Sequence, residues 1–170
     1  YALMKPDGEM KITGFEQVRR DWSPVAKKTQ KEVLKKVLNE KPDEAADHVK
    51  QVVEMLREGE VDVEDLRIYT TLTKPPEEYD ATAPHVEAAR KAIKRGEKIE
   101  DGDTISYVIT DGGGSISERA EIVKYADTYD SSYYIDSQIV PVSNRVLKVF
   151  GYTEDQLKGK GKQSGLGQFG

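Results

Sequence analysis

The chain has 170 residues, 36% of them hydrophobic and 34% charged, with a formal net charge of -5, enough length to bury a core in one medium domain or two small ones. It has no cysteine and only two histidines, His48 and His85, which excludes disulfides and thiolate chemistry and leaves metal chemistry to carboxylates. No apolar run approaches the roughly 20 residues that span a bilayer, and no charged-then-apolar leader opens the chain, so it reads as a cytosolic protein.

In chain order, Lys5-Pro6-Asp7-Gly8 favours a turn between short apolar stretches, predicting a hairpin that ends near Ile12. Ser23-Pro24 then supplies a cap and a first-turn proline for a helix to about Asn39, with Val25, Val33, Leu34, Val37 and Leu38 at helical spacing. A second helix follows Pro42, with Ala45, Val49, Val52, Val53 and Leu56 on one face and Gly59 as its stop, and the two should pair as a helical hairpin. Leu66 to Leu72 is rich in β-favouring residues and closes on Lys74-Pro75-Pro76, which predicts an extended segment.

Pro84 opens a third helix through Val86, Ala89 and Ile93, which Gly96 closes after Lys94-Arg95. Thr104 to Thr110 alternates, with Ile105, Tyr107 and Ile109 on one side, and meets Asp111-Gly112-Gly113-Gly114: a strand and a mobile loop. A last helix is predicted from Ser132 to Gly151, kinked at Pro141, with Ile135, Ile139, Val142, Val146 and Val149 on its apolar side. From Lys158 onward, glycines alternate with lysines and glutamines, a flexible composition. The expected fold class is α+β with helices dominant.

Charge is segregated. Residues 1–36 carry nine Lys and Arg against five Asp and Glu, and residues 88–99 carry five against one. Residues 40–65 carry three against ten, and residues 100–136 two against nine. These blocks are solvated helix faces, or, for the two basic ones, a local footprint for DNA.

Candidate chemistry is sparse. Asp101 and Asp103 flank Gly102 and could hold magnesium for phosphoryl transfer, but a turn entering a strand calls for the same residues. Asp127, Asp130 and Asp136 have no calcium-loop spacing. There is no Gly-x-Ser-x-Gly turn, and the Gly112–Gly114 loop lacks the Gly-Lys-Ser/Thr ending of a phosphate cradle. Two binding patterns remain. Arg19-Arg20 could straddle successive phosphates with guanidinium forks, or be a solvated pair with Arg20 on Asp21. Thr73-Lys74 would be presented at little entropy cost by the two prolines that follow.

In order along the chain, Tyr1-Ala2-Leu3, Gly14-Phe15-Glu16-Gln17-Val18-Arg19-Arg20-Asp21-Trp22, Leu72-Thr73-Lys74-Pro75-Pro76-Glu77-Glu78-Tyr79, Pro84-His85-Val86, Gly102 to Ile109, Ile116 to Ala120 and Tyr133 to Gln138 carry a resemblance. Together these segments resemble the C-terminal end of family B DNA polymerases of the archaeal and eukaryotic replicative type. The resemblance implies a palm-edge hairpin and lead-in over residues 1–22, a mainly helical thumb domain over 23–156, and a flexible tail over 157–170.

It implies a thumb that grips primer-template duplex DNA through backbone and minor groove while a large subunit carrying exonuclease, fingers and palm does the chemistry, in the cytoplasm at the nucleoid. The catalytic carboxylates and their magnesium belong to that palm, so no cofactor is expected here, and Asp101 and Asp103 fall on a thumb strand. Tyr1, Gly14, Arg19 and Arg20 would face the primer strand, and Thr73, Lys74, Tyr79, His85 and Arg119 would line the duplex. His85 reads equally as a helix-start packing residue. Thr13 stands where the family usually has a basic residue, and the start inside the first motif points to a trimmed piece or the small subunit of a split polymerase. In the tail, Gln163, Leu166 and Phe169 are spaced as in sliding-clamp peptides, although Gly170 replaces the second large apolar residue. The competing readings are a small magnesium-dependent phosphoryl-transfer enzyme using Asp101 and Asp103, and a protein adaptor.

Overall fold

The computed structural model of the chain describes residues 2–7, 9–12 and 21–159. Its element order is β1 (Ala2–Met4), β2 (Met10–Ile12), α1 (Pro24–Leu38), α2 (Pro42–Arg57), β3 (Ile68–Thr71), α3 (Pro84–Lys94), β4 (Thr104–Ile109), β5 (Ala120–Ile122), α4 (Ser131–Tyr134), α5 (Val140–Leu147) and α6 (Glu154–Lys158). The fold is α+β. Among the described residues no helix is long and apolar enough to cross a membrane. Contacts divide the chain into two compact units: the hairpin with residues 24–60 and 132–159, and residues 21–23 with 61–131.

In the first unit, β1 and β2 pair antiparallel with Leu3 opposite Lys11, and the Asp7 carboxylate accepts the Glu9 N–H at 3.0 Å. Helices α1 and α2 begin on Pro24 and Pro42, where a missing N–H costs nothing and the fixed φ suits the first turn. They pack side by side and against α5 and α6. Ala26, Val33, Ala45, Val49, Leu56, Ile139, Val140 and Leu147 are fully buried there. Gln30 is buried with them, and its Nε2 donates to the Val142 carbonyl at 3.1 Å, which offsets the cost of taking an amide from water.

The predicted last helix exists in four pieces. Between α4 and α5 the chain widens to a π-turn over Ile135–Ile139, closed by the Val140 N–H on the Ile135 carbonyl. Pro141 explains it. Proline brings no N–H, and its ring presses on the carbonyl four residues back, so the coil opens just upstream. Beyond Leu147 the helix tightens to a 3-10 turn over Lys148–Phe150 before Gly151, at φ 90°. That change of pitch turns Val149 outward, 75% exposed, where the sequence puts it on the apolar face, while Leu147, the last residue of α5, is fully buried.

Helix α6 was not expected. Thr153 caps it, accepting from Gln156 N–H at 3.2 Å while Gln156 Oε1 accepts from Thr153 N–H at 2.8 Å, and Leu157 is fully buried.

The second unit is a three-stranded antiparallel sheet in the order β3-β4-β5, with α3 against β4 and β5. Ile68 pairs with Tyr107 and Thr71 with Thr104, and on the other side Tyr107 pairs with Ile122 and Ile109 with Ala120. Ala88, Ala89 and Ala92 are fully buried, and their small side chains let the helix approach the sheet closely. Ile93, expected inside, is 39% exposed. As the central strand, β4 alternates only at its start: Tyr107, Val108 and Ile109 are all buried because both faces are covered there.

Candidate functional site

Leu72 closes the strand-rich segment and is almost wholly buried. Its N–H donates to the Asp103 carbonyl at 2.8 Å and its carbonyl accepts the Gly102 N–H at 2.9 Å. This exchange fixes the point from which Thr73 and Lys74 leave the core. Pro75 is extended, and Pro76 starts a 3-10 turn through Glu78, closed by the Tyr79 N–H on the Pro76 carbonyl at 3.4 Å. With two prolines and a buried Pro76, little backbone freedom remains between Lys74 and Tyr79.

The turn folds Tyr79 back over the two residues before the prolines. The Thr73 N–H donates to the Tyr79 hydroxyl oxygen at 2.8 Å, the Thr73 Oγ1 lies 3.1 Å from the same oxygen, and the Lys74 ammonium sits 5.0 Å from the ring centroid. The hydrogen bonds from Thr73, helped by Lys74, pull the Tyr79 phenol below its ordinary range. His85, in the first turn of α3, meets the Tyr79 ring edge-on at 5.8 Å. Burial pushes its imidazole below the usual value.

Four residues singled out in the sequence, Thr73, Lys74, Tyr79 and His85, are therefore one contiguous cluster. It offers an ammonium and hydroxyls, the donors that suit a phosphate oxygen. Glu77 and Glu78 are exposed on the same segment, so it has no net positive field and must act at hydrogen-bond range.

Arg119 is placed differently. Its Nη1 donates to Asp130 and lies 3.4 Å from the Thr110 carbonyl, and both ion-pair partners are 15% exposed. The guanidinium is a brace between the 117–119 turn and the approach to α4. The two aspartates considered for magnesium serve a turn: Gly102 takes φ 86°, and the Asp103 carboxylate accepts the Glu100 N–H at 2.9 Å. Among the described residues, no group of three His, Asp or Glu is arranged to hold a metal ion. Tyr1, Gly14, Arg19, Arg20, Gln163, Leu166 and Phe169 lie outside the described residues.

Sequence reasoning missed Arg90. It bonds Glu87 on its own helix and the carbonyls of Pro76 and Tyr79, 14 and 11 residues away. The Glu87–Arg90 spacing was visible as a helical pair, whereas the carbonyls were not.

The sequence profile of DNA polymerase family B matches residues 1–150. The chain belongs to DNA polymerase family B. It is 44% identical to DNA polymerase 2 of Aeropyrum pernix over 172 residues, an alignment that covers 99% of this chain and 21% of that protein. To the DNA polymerase of Methanocaldococcus jannaschii it is 45% identical, over 99% of this chain and 10% of that protein. The structure is similar to that of the family B DNA polymerase from the hyperthermophilic archaeon Pyrobaculum calidifontis, with a TM-score of 0.77 and 37% identity over 90% of this chain and 20% of that one. This family B chain thus spans a tenth to about a fifth of the length of these relatives.

Proposed function

We propose that this chain is the thumb portion of a family B DNA polymerase, gripping primer-template duplex DNA through its backbone and minor groove. The observation that carries this reading is the convergence of Thr73, Lys74, Tyr79 and His85 on one stiffened turn. Because two prolines and the Thr73–Tyr79 bonds hold the donors before any ligand arrives, little ordering entropy opposes contact with a phosphate. Phosphate contacts carry no sequence information, which suits a protein that must follow any template.

In this reading residues 23–156 form the thumb, and residues 1–22 are the palm-edge hairpin and lead-in, with Tyr1, Gly14, Arg19 and Arg20 toward the primer. Nucleotidyl transfer, with its magnesium, belongs to a palm carried on a larger partner together with fingers and exonuclease. The tail residues Gln163, Leu166 and Phe169 would engage a sliding clamp.

The test is duplex binding by fluorescence anisotropy across a salt series. The logarithm of affinity should fall linearly with the logarithm of salt, by about 0.9 per phosphate neutralised, and equally for unrelated duplex sequences. Replacing Thr73 and Lys74 by alanine should weaken binding about three- to tenfold and lower the slope by roughly one. A flat salt response of the unmodified chain defeats the reading.

A further inference from the structure

Arg90 lies in the basic stretch of residues 88–99 that resembles a phosphate footprint, yet its guanidinium is turned onto its own chain. Nη1 donates to Glu87 Oε2 at 2.9 Å, and Nη2 donates to the carbonyls of Pro76 and Tyr79, both at 3.0 Å. Those carbonyls bracket the 3-10 turn of Pro76–Glu78. Two carbonyl oxygens drawn to one spot repel each other unless a donor stands between them, and a planar guanidinium can serve both at once. Glu87, 23% exposed, holds the fork in orientation and offsets its charge. What remains of Arg90 for solvent is a weak field and a fixed geometry.

We infer that Arg90 is a positioning residue: it clamps the 76–79 turn to α3, so that Tyr79, and through its hydroxyl Thr73 and Lys74, stand in binding geometry before the duplex arrives. The inference rests on reading that turn as a duplex contact. The physical sequence is short. Arg90 fixes the carbonyl of Tyr79; the Tyr79 ring and hydroxyl are thereby placed; the hydroxyl receives the Thr73 N–H at 2.8 Å, and Lys74 packs on the ring. Without the clamp the turn keeps its prolines but loses its tie to the helix, and ordering it falls to the binding step.

A double-mutant cycle with a second, ligand-free readout tests this. Arg90→Leu, which keeps the stem and removes the donors, should weaken duplex binding about three- to tenfold. In the Thr73→Ala/Lys74→Ala background the same change should cost less than about twofold, because the groups it positions are gone. Additive losses would make Arg90 a direct phosphate contact and overturn the proposal. Unchanged affinity with a lowered melting temperature would make it a purely structural brace and also overturn it. Hydrogen exchange in the unliganded 170-residue chain is the independent arm: Arg90→Leu should speed exchange of the Thr73 amide about tenfold and leave the β4 amides protected. An unchanged Thr73 amide overturns the clamp whether or not DNA binds. Faster exchange in a chain that does not bind duplex at all supports the clamp and overturns the duplex reading instead.

Discussion

Helices α1 and α3 carry the same sign of charge and use it in opposite ways. On α3 and at its end, Arg90 holds two carbonyls and Glu87. Lys91 donates to the Glu118 and Ala120 carbonyls, and Arg95 makes a two-pronged pair with Glu121 at 2.8 and 3.1 Å while lying 4.5 Å from the Tyr125 ring centroid. On α1, Lys28, Lys31 and Lys35 are exposed and join no ion pair among the described residues, and Lys36 reaches Glu44 only at 3.9 Å. The lesson is that a local count of charge does not report a local field. A basic block next to the carbonyls and carboxylates of a packed turn is consumed as hydrogen-bond donors, whereas the same block on a helix with an open side stays available to solvent or ligand.

The sharpest way to break that comparison is to remove the acceptor from a pinned cation. Arg119 and Asp130 are each 15% exposed, so solvent screens the pair little. Asp130→Ala leaves a guanidinium of low exposure without its carboxylate, and urea unfolding should show a loss of about 2 to 3 kcal/mol. A loss below about 0.5 kcal/mol would place this pair with ordinary surface salt bridges and dissolve the contrast with α1.

A second difference lies at the two helix ends. Both close with the same wrap, Lys41 N–H to Lys36 carbonyl at 2.8 Å after α1 and Glu97 N–H to Ala92 carbonyl at 3.0 Å after α3. The left-handed residue is Gly96 in α3, at φ 100°, and Glu40 in α1, at φ 61°. A Cβ in that conformation meets the carbonyl that follows it, so Glu40→Gly should stabilise the chain by about 0.5 to 1 kcal/mol, less whatever glycine loses through a freer unfolded state. Thermal unfolding of the variant measures it. Destabilisation would mean that the Glu40 side chain contributes more than its backbone costs.

How much of this was legible follows the range of the forces involved. Local signals carried the helices that start on Pro24, Pro42 and Pro84, the strand of Thr104–Ile109 and the hairpin, because cap, turn and period are properties of neighbouring residues. Pro141 announced a disturbance, but not that the helix would absorb it by widening upstream. Nor did an even helical period warn that tightening after Leu147 would expose Val149. Val108 was hidden because alternation describes a half-buried strand, and burial of both faces depends on what the rest of the chain lays across β4. Thr73 and Lys74 stood out in a short, proline-stiffened motif, whereas Tyr79 and His85 entered through the family resemblance, and their meeting in one cluster was not legible. Nor was Arg90, since its partners are backbone carbonyls, which look alike in any sequence.

The smallest effect tests the open side of the comparison. Within α1, Lys31 has Lys27 and Lys28 one turn before it and Lys35 one turn after, while the acidic Glu32 lies one turn from Lys28, Lys35 and Lys36 but not from Lys31. Lys31 therefore sits among like charges with no compensating neighbour at helical spacing. Like-charge neighbours at this spacing on an exposed helix together cost a few tenths of a kcal/mol or more, so Lys31→Gln should raise stability by roughly 0.5 kcal/mol in low salt. The gain should disappear near 1 M salt, where the screening length falls to about 3 Å. Lys91 gives the opposite expectation: its donors are bound to two carbonyls, so Lys91→Gln should destabilise, and salt should do little to hide it. If Lys31→Gln instead lowers stability at every salt concentration, α1 holds its lysines as firmly as α3 holds its own, and the distinction between the two helices falls.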